Sequence, residues 1–317
     1  MGKSSRAGVA ALTALIGLAA AATAPASVQF QYERGLTLSQ TRDSQARPVA
    51  VTCDPLTGET CVTDGVFSSL HLFNAAGVET FRTGAYAGLS LPNDGAVDHE
   101  GRLVTVVSTA GGLGTIQRLT VYGERDDWSP QAPAERWCPT HLTVARDGNY
   151  VTVDGISGLM AKHDAASGAV LWANVIATPG ADDPDLDMDL GRPTELSDGS
   201  YAVAGNNLHV VLVVSAEGAP LAAFGRFGTS PGRMVTPVAT AEGPRGMLLV
   251  LDQMRHKVMA FDGQHEFLDE FGSIGDAPGD FYHPVSMATD AAGRLYVAQG
   301  YRSRVQVFSV LADGAVE

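Results

Sequence analysis

Beyond residue 27 the chain is written in short apolar runs that stop at glycine or proline, and no stretch repeats its apolar positions with the helical period. Runs such as Tyr150-Val151-Thr152-Val153 and Leu248-Leu249-Val250-Leu251 read as strands, half-buried or fully buried. They return in a fixed order. Each unit opens at a proline, passes a glycine turn after one short strand, and reaches an apolar third strand such as Leu70-His71-Leu72-Phe73 or Lys257-Val258-Met259-Ala260-Phe261. The prolines are Pro48, Pro92, Pro139, Pro193, Pro237 and Pro284, spaced 44, 47, 54, 44 and 47 residues apart. The turn glycines are Gly58, Gly101, Gly148, Gly199, Gly246 and Gly293, several of them in Asp-Gly or Gly-Arg pairs that signal tight hairpins.

Three strands and a weaker fourth in every unit describe the blade of a β-propeller. One such blade cannot cover both of its faces, so six must stack around an axis to make a core. The sixth unit ends soon after its third strand, while Val28-Gln29-Phe30-Gln31-Tyr32-Glu33 alternates with period two near the other end of the chain. A strand from Val28 to Leu38 that completes the last blade would close the ring and remove an exposed sheet edge. The expected fold is therefore all-β: a six-bladed β-propeller of four-stranded blades, closed by an N-terminal strand and filling residues 27–317 as one domain.

The last two copies carry a more particular pattern. Gly225-Arg226-Phe227-Gly228-Thr229-Ser230-Pro231-Gly232-Arg233-Met234 precedes Pro237, and the segment from Pro278 to Arg304-Val305-Gln306-Val307-Phe308 follows the same plan. Both resemble NHL repeats, with a Pro-Gly opening, a glycine turn and an Arg-Val-Gln-Val-Phe third strand. The resemblance is good over the last two units and loose over the rest. It implies the propeller fold, and it is compatible with both binding and enzymatic roles. Unit four is three residues short between Pro193 and Gly199, and unit six has Gln299 near the place where the family carries a strand-end Asp.

Composition adds the compartment. Residues 1–26 read as a secretory signal, with Lys3 and Arg6 ahead of the apolar stretch from Ala7 to Ala22 and a small-x-small site at Ala24-Pro25-Ala26. An uncleaved anchor is the other reading of so long a run. The expected location is secreted or periplasmic, with no membrane span once the signal is removed. The 35 acidic residues against 21 Lys and Arg give a net charge of −14, which disfavours nucleic acid and anionic lipid. In an exported chain the three cysteines invite pairing. Cys53 and Cys61 flank the first hairpin and are the expected disulfide, with Cys138 the odd thiol.

Candidate chemistry sits where the inner strands approach the channel. Two residues after each opening proline stand Ala50, Asp94, His141, Glu195, Ala239 and Ser286. Asp94, His141 and Glu195 are suitable for binding a ligand at the channel mouth, and Asp94 and His141 for holding a divalent cation. Because unit four is short, counting back from Gly199 puts Arg192 there instead of Glu195. Pro92-Asn93-Asp94-Gly95 resembles a Pro-Asn-Gly segment of gluconolactonase-like propellers, which implies Asn93 as a further ligand contact and a cation in the channel. Asp64, Asp154 and Asp252 end their second strands, where a carboxylate accepts backbone N–H groups of the next loop. Asp182 to Asp189 is read as a solvated acidic loop, since it lacks the glycine and glutamate of a calcium loop.

No zinc-hydrolase, serine-hydrolase or phosphate-loop motif is present in the sequence. The insertion from Glu124 to Trp137 carries Trp128, Arg136 and Trp137, residue types that suit either partner binding or packing on a neighbouring blade. The reading favoured overall is an exported scaffold that binds a protein, peptide or glycan on one rim, with no cofactor. The alternative is a metal-dependent lactonase- or lyase-like hydrolase at the channel.

Overall fold

A computed structural model describes residues 27–38, 45–84, 87–108, 114–178 and 188–313. Residues 1–26, on which the signal reading falls, most of the acidic run and residues 314–317 lie outside the described residues. Among those described, no helix is long and apolar enough to cross a membrane.

Six antiparallel sheets stand in a ring, each beginning with an inner strand: Pro48–Cys53, Pro92–Val97, His141–Val144, Thr194–Glu195, Pro237–Glu242 and Pro284–Thr289. From its inner strand each of the first five blades runs outward in sequence order. The sixth is completed by Ser27–Thr37, antiparallel to Arg304–Asp313 from Ser27↔Asp313 to Thr37↔Arg304, as the period-two pattern predicts. Val28, Leu36 and Leu38 of that N-terminal segment are buried, so it contributes core as well as hydrogen bonds.

The core is distributed. Six apolar clusters lie one at each junction between neighbouring blades: Leu70 and Leu72 of blade 1 against Val97 and Leu103 of blade 2, or Met259 and Phe261 of blade 5 against Ala202 and Val211 of blade 4. Nearer the axis the inner strands are splayed, and each has an unpaired edge. Hydroxyls stitch these edges: Thr52 donates to the Gly95 carbonyl (2.8 Å), Thr194 to that of Thr240 (2.7 Å), Thr289 to that of Glu242 (2.7 Å), and Thr143 to that of Pro193. Each bond satisfies a carbonyl that ring geometry leaves without a ladder partner.

The ring has the expected six blades, and its outer layer is thinnest in blade 2: among the described residues its sheet has three strands, and beyond Leu119 the chain keeps only one bridge, to Arg125, before the insertion with Pro130 and Pro133. Proline cannot donate to a ladder, so this stretch cannot run on as a strand. The expected Cys53–Cys61 disulfide is corrected: none of the three cysteines is in a disulfide. In the first hairpin Cys53 pairs with Thr60 and Cys61 with Thr52, so the two sulfurs lie on opposite faces of the sheet. Cys61 packs toward blade 2 and Cys53 toward blade 6. Burial pushes the Cys61 thiol up to about 12, and that of Cys53 further still.

The strand-end carboxylates do what the sequence suggests. Asp64 accepts from the N–H groups of Arg47, Val66 and Phe67, Asp154 from Cys138, Ile156 and Ser157, and Asp252 from Val235, Thr236 and Arg255. Gln299 takes the same place in blade 6, accepting from the Tyr282 N–H at 2.9 Å. These contacts tie the start of each inner strand to the loop beside it.

Candidate functional site

Ring symmetry puts one residue of each inner strand at the same height in the channel. Register identifies it: Ala50 faces Thr63, Asp94 faces Val106, His141 faces Val153, Ala239 faces Leu251, and Ser286 faces Ala298. In blade 4 the equivalent residue is Arg192, not Glu195. There Leu190 bridges Gly205, and Thr194 already lies opposite Ala202. The slip is permitted by Gly191, where a Cβ would come within 2.5 Å of the Val238 carbonyl of blade 5. The alternative count back from Gly199 therefore describes the fold.

At that height the channel is closed by a buried ion pair. Arg192 clamps the Asp94 carboxylate with two parallel bonds, Nε to Oδ2 at 2.9 Å and Nη2 to Oδ1 at 2.8 Å. Its Nη1 donates to the Val51 carbonyl (2.5 Å), and Nη2 also reaches the Ser286 hydroxyl (3.3 Å), which in turn accepts from the Val51 N–H. His141 Nδ1 donates to Asp94 Oδ2 at 3.1 Å, and the backbone N–H groups of Gly95 and Leu142 complete the shell. Blades 1, 2, 3, 4 and 6 thus meet in one network. Asp94 is fully buried, and burial alone would push its carboxyl up. Arg192, followed by His141, outweighs that and holds it below the usual carboxylate range.

This arrangement does not fit a hard cation. The two oxygens of Asp94 already accept five donors, and a guanidinium at 2.8 Å would repel a divalent ion placed beside it. Among the described residues no three His, Cys, Asp or Glu side chains converge as a ligand set. Glu195 lies deeper, past the plug, and accepts from the Arg146 N–H at 2.6 Å.

The plug divides the channel into two mouths. The narrower, about 270 Å³, is lined by Arg47, Asn93, Thr140 and His141 on the face where the inner strands begin. Here His141 Nε2 has no partner among the described residues, while Asn93 donates to the Ser108 hydroxyl at 3.3 Å. The wider, about 400 Å³, opens among the hairpin turns and includes Thr52, His99, Arg146, Glu195, Glu242 and Asp290. Arg146 bridges Leu196 and Glu242 there, so its charge is spent within the wall.

The two tryptophans of the insertion turn inward. Trp128 meets Tyr150 edge-on at 5.3 Å beneath the Arg118 guanidinium, and Trp137 lies 5.1 Å from the His163 ring. Both pack against the junction of blades 2 and 3, which leaves Arg136 as the exposed member of the proposed trio. Arg192, the residue at the centre of the site, is the one that candidate selection by proline spacing passed over; the shortened fourth unit was its only trace.

These features define a six-bladed β-propeller with a sealed channel. No protein-family model matches the sequence, and no curated protein does. Solved structures share the architecture. A catalytically inactive virginiamycin B lyase from Staphylococcus aureus, with quinupristin, is 14% identical over 86% of this chain and 82% of its own, with a TM-score of 0.58. A protein of unknown function from Bacteroides thetaiotaomicron is 10% identical over 90% and 76%, with a TM-score of 0.65. A gluconolactonase from Xanthomonas campestris is 15% identical over 91% and 97%, with a TM-score of 0.63. At such identities the likeness is one of fold.

Proposed function

We propose that this chain is an exported, NHL-type propeller that acts as a binding scaffold for a macromolecular ligand on one rim, with no resident metal. The observation that carries the reading is the Arg192–Asp94 clamp. It occupies the carboxylate that a lactonase-like centre would need, and it blocks the channel at the height where ligands from different blades could converge. The signal-like residues 1–26 support export. The repeat pattern of the last two units supports NHL-type ancestry.

The alternative, a metal-dependent lactonase or lyase, draws on two of the fold neighbours and on His141, whose Nδ1 is held by a carboxylate while its ring lines the narrow mouth. Elemental analysis of the purified protein, paired with lactone and ester turnover, separates the two. Background metal and no turnover are expected, both in the full chain and in His141→Gln, which leaves the ion pair intact. A stoichiometric divalent ion that survives dialysis and is lost with turnover in His141→Gln would overturn the scaffold reading.

A further inference from the structure

In blades 1, 3, 4, 5 and 6 the turn after the second strand lies on the face of the narrow mouth. Two residues past the strand end, the same repeat position holds Val66 in blade 1, Ile156 in blade 3, Met254 in blade 5 and Tyr301 in blade 6, exposed by 48%, 57%, 62% and 47%. Turn tips ordinarily take Gly, Asn, Asp or Ser. Scattered exposed apolar residues need no explanation, but one position recurring in four blades is a ring and not scatter. The backbone is pinned as well: Asp64 and Asp154 accept from the N–H groups of Val66 and Ile156, so these side chains are presented rather than loose. Phe227 and Ile274, in the inter-blade loops of the same face, add 66% and 64% exposed side chains. The tips of the first hairpins on the opposite face instead set glycines beside Glu59, Glu100, Asp147 and Asp198 in blades 1 to 4, and beside Arg245 and Arg294 in blades 5 and 6.

Charge sorts the same way. On the crown face Arg47, Arg226 and Arg233 have no carboxylate partner among the described residues. Arg47 stacks 4.8 Å over Tyr301 at the rim of the narrow mouth, and Arg302 stacks 4.4 Å over Tyr282. In a chain of net charge −14, this is where unspent guanidinium charge and apolar surface coincide. Aromatic residues, Met and Arg are also the types enriched at protein interfaces.

We infer that this crown is the docking surface of the scaffold and that its partner is an acidic polypeptide segment carrying apolar side chains. The inference rests on the scaffold reading above. The guanidinium groups without carboxylate partners on this rim would draw an acidic segment, so electrostatics favours this orientation and the apolar positions supply most of the affinity. Arg47 gives a carboxylate its destination at the narrow mouth.

The test pans random short peptides displayed on phage against the full chain and re-measures the winners as synthetic peptides by fluorescence anisotropy. Winners should combine Asp or Glu with Leu, Phe or Tyr, weaken with salt, and bind about tenfold or more weakly to a variant carrying Val66→Ser, Ile156→Ser, Met254→Ser and Tyr301→Ser. Arg47→Glu should weaken them too, while Leu56→Ser and Tyr122→Ser on the opposite rim should not. Winners that are basic, or that bind the crown variant as well as the parent, would overturn this inference. If they depend on the opposite rim, the scaffold reading survives without it. Retention of no peptide would count against both. Sedimentation with phosphatidylserine vesicles that the crown variant loses would assign the surface to a membrane and refute the polypeptide partner.

Discussion

Replacing Arg192 by methionine tests the plug directly. The substitution keeps much of the side chain's length and removes its charge and four donated bonds. Asp94, with no exposed surface, is left with His141 and two backbone N–H groups. Breaking one partner of a buried pair costs about 3–5 kcal/mol, because the survivor stays desolvated without its counter-charge. For a domain of this size that corresponds to a fall in melting temperature of roughly 6–15 °C.

The pH dependence distinguishes this cause from lost packing. In the parent protein the Asp94 pKa is depressed, so its contribution is present above the unfolded value and is lost only as pH falls through the lower folded one. In Arg192→Met the burial effect loses its main opponent, and the folded pKa should rise above the unfolded value. Stability in the variant is then favoured at low pH and lost as pH rises. Urea unfolding followed by tryptophan fluorescence should therefore show a deficit of several kcal/mol near about pH 7 that narrows toward about pH 4.5. A deficit below about 1 kcal/mol, or one equal at both values, would refute the buried-pair account.

Further expectations follow from other parts of the ring. Burial lowers the His163 pKa to about 4, so the unfolded chain takes up a proton first and stability should fall by up to about 3 kcal/mol as pH drops from about 6.5 to about 4. His163→Gln should flatten that slope, and an unchanged slope in the difference curve would reassign it to another group. Thiol titration in denaturant should count three free cysteines, with Cys61 unreactive in the native state; a bridged Cys53–Cys61 peptide in mass mapping would contradict the register. Deleting residues 27–40 uncovers the edge of Arg304–Asp313 and removes Val28, Leu36 and Leu38 from the core, so size-exclusion chromatography should show aggregation. A monomer of unaltered melting temperature would argue against the closure.

The sequence by itself determined what repeats. Prolines and turn glycines recur because every blade must turn the chain at the same places. The period-two pattern from Val28 to Glu33 marks the closing strand because one of its faces is buried. The strand-end aspartates were legible because some of their partners are backbone N–H groups two or three residues on, in the turn that follows. The others, at the start of the same blade's inner strand, come from the hairpin. What sequence could not supply is register and company across the ring. Cys53 and Cys61 bracket one hairpin, yet an offset of one residue sends them to opposite faces, and only the turn geometry sets that offset. Trp128 and Trp137 face inward because the junction of blades 2 and 3 offers them Tyr150 and His163, residues distant in sequence. Arg192 meets an aspartate 98 positions earlier because a shortened fourth blade slides its inner strand along the channel axis. The electrostatics of that buried pair belong to the closed ring, since the low dielectric and the five blades that build it exist only once the ring is formed.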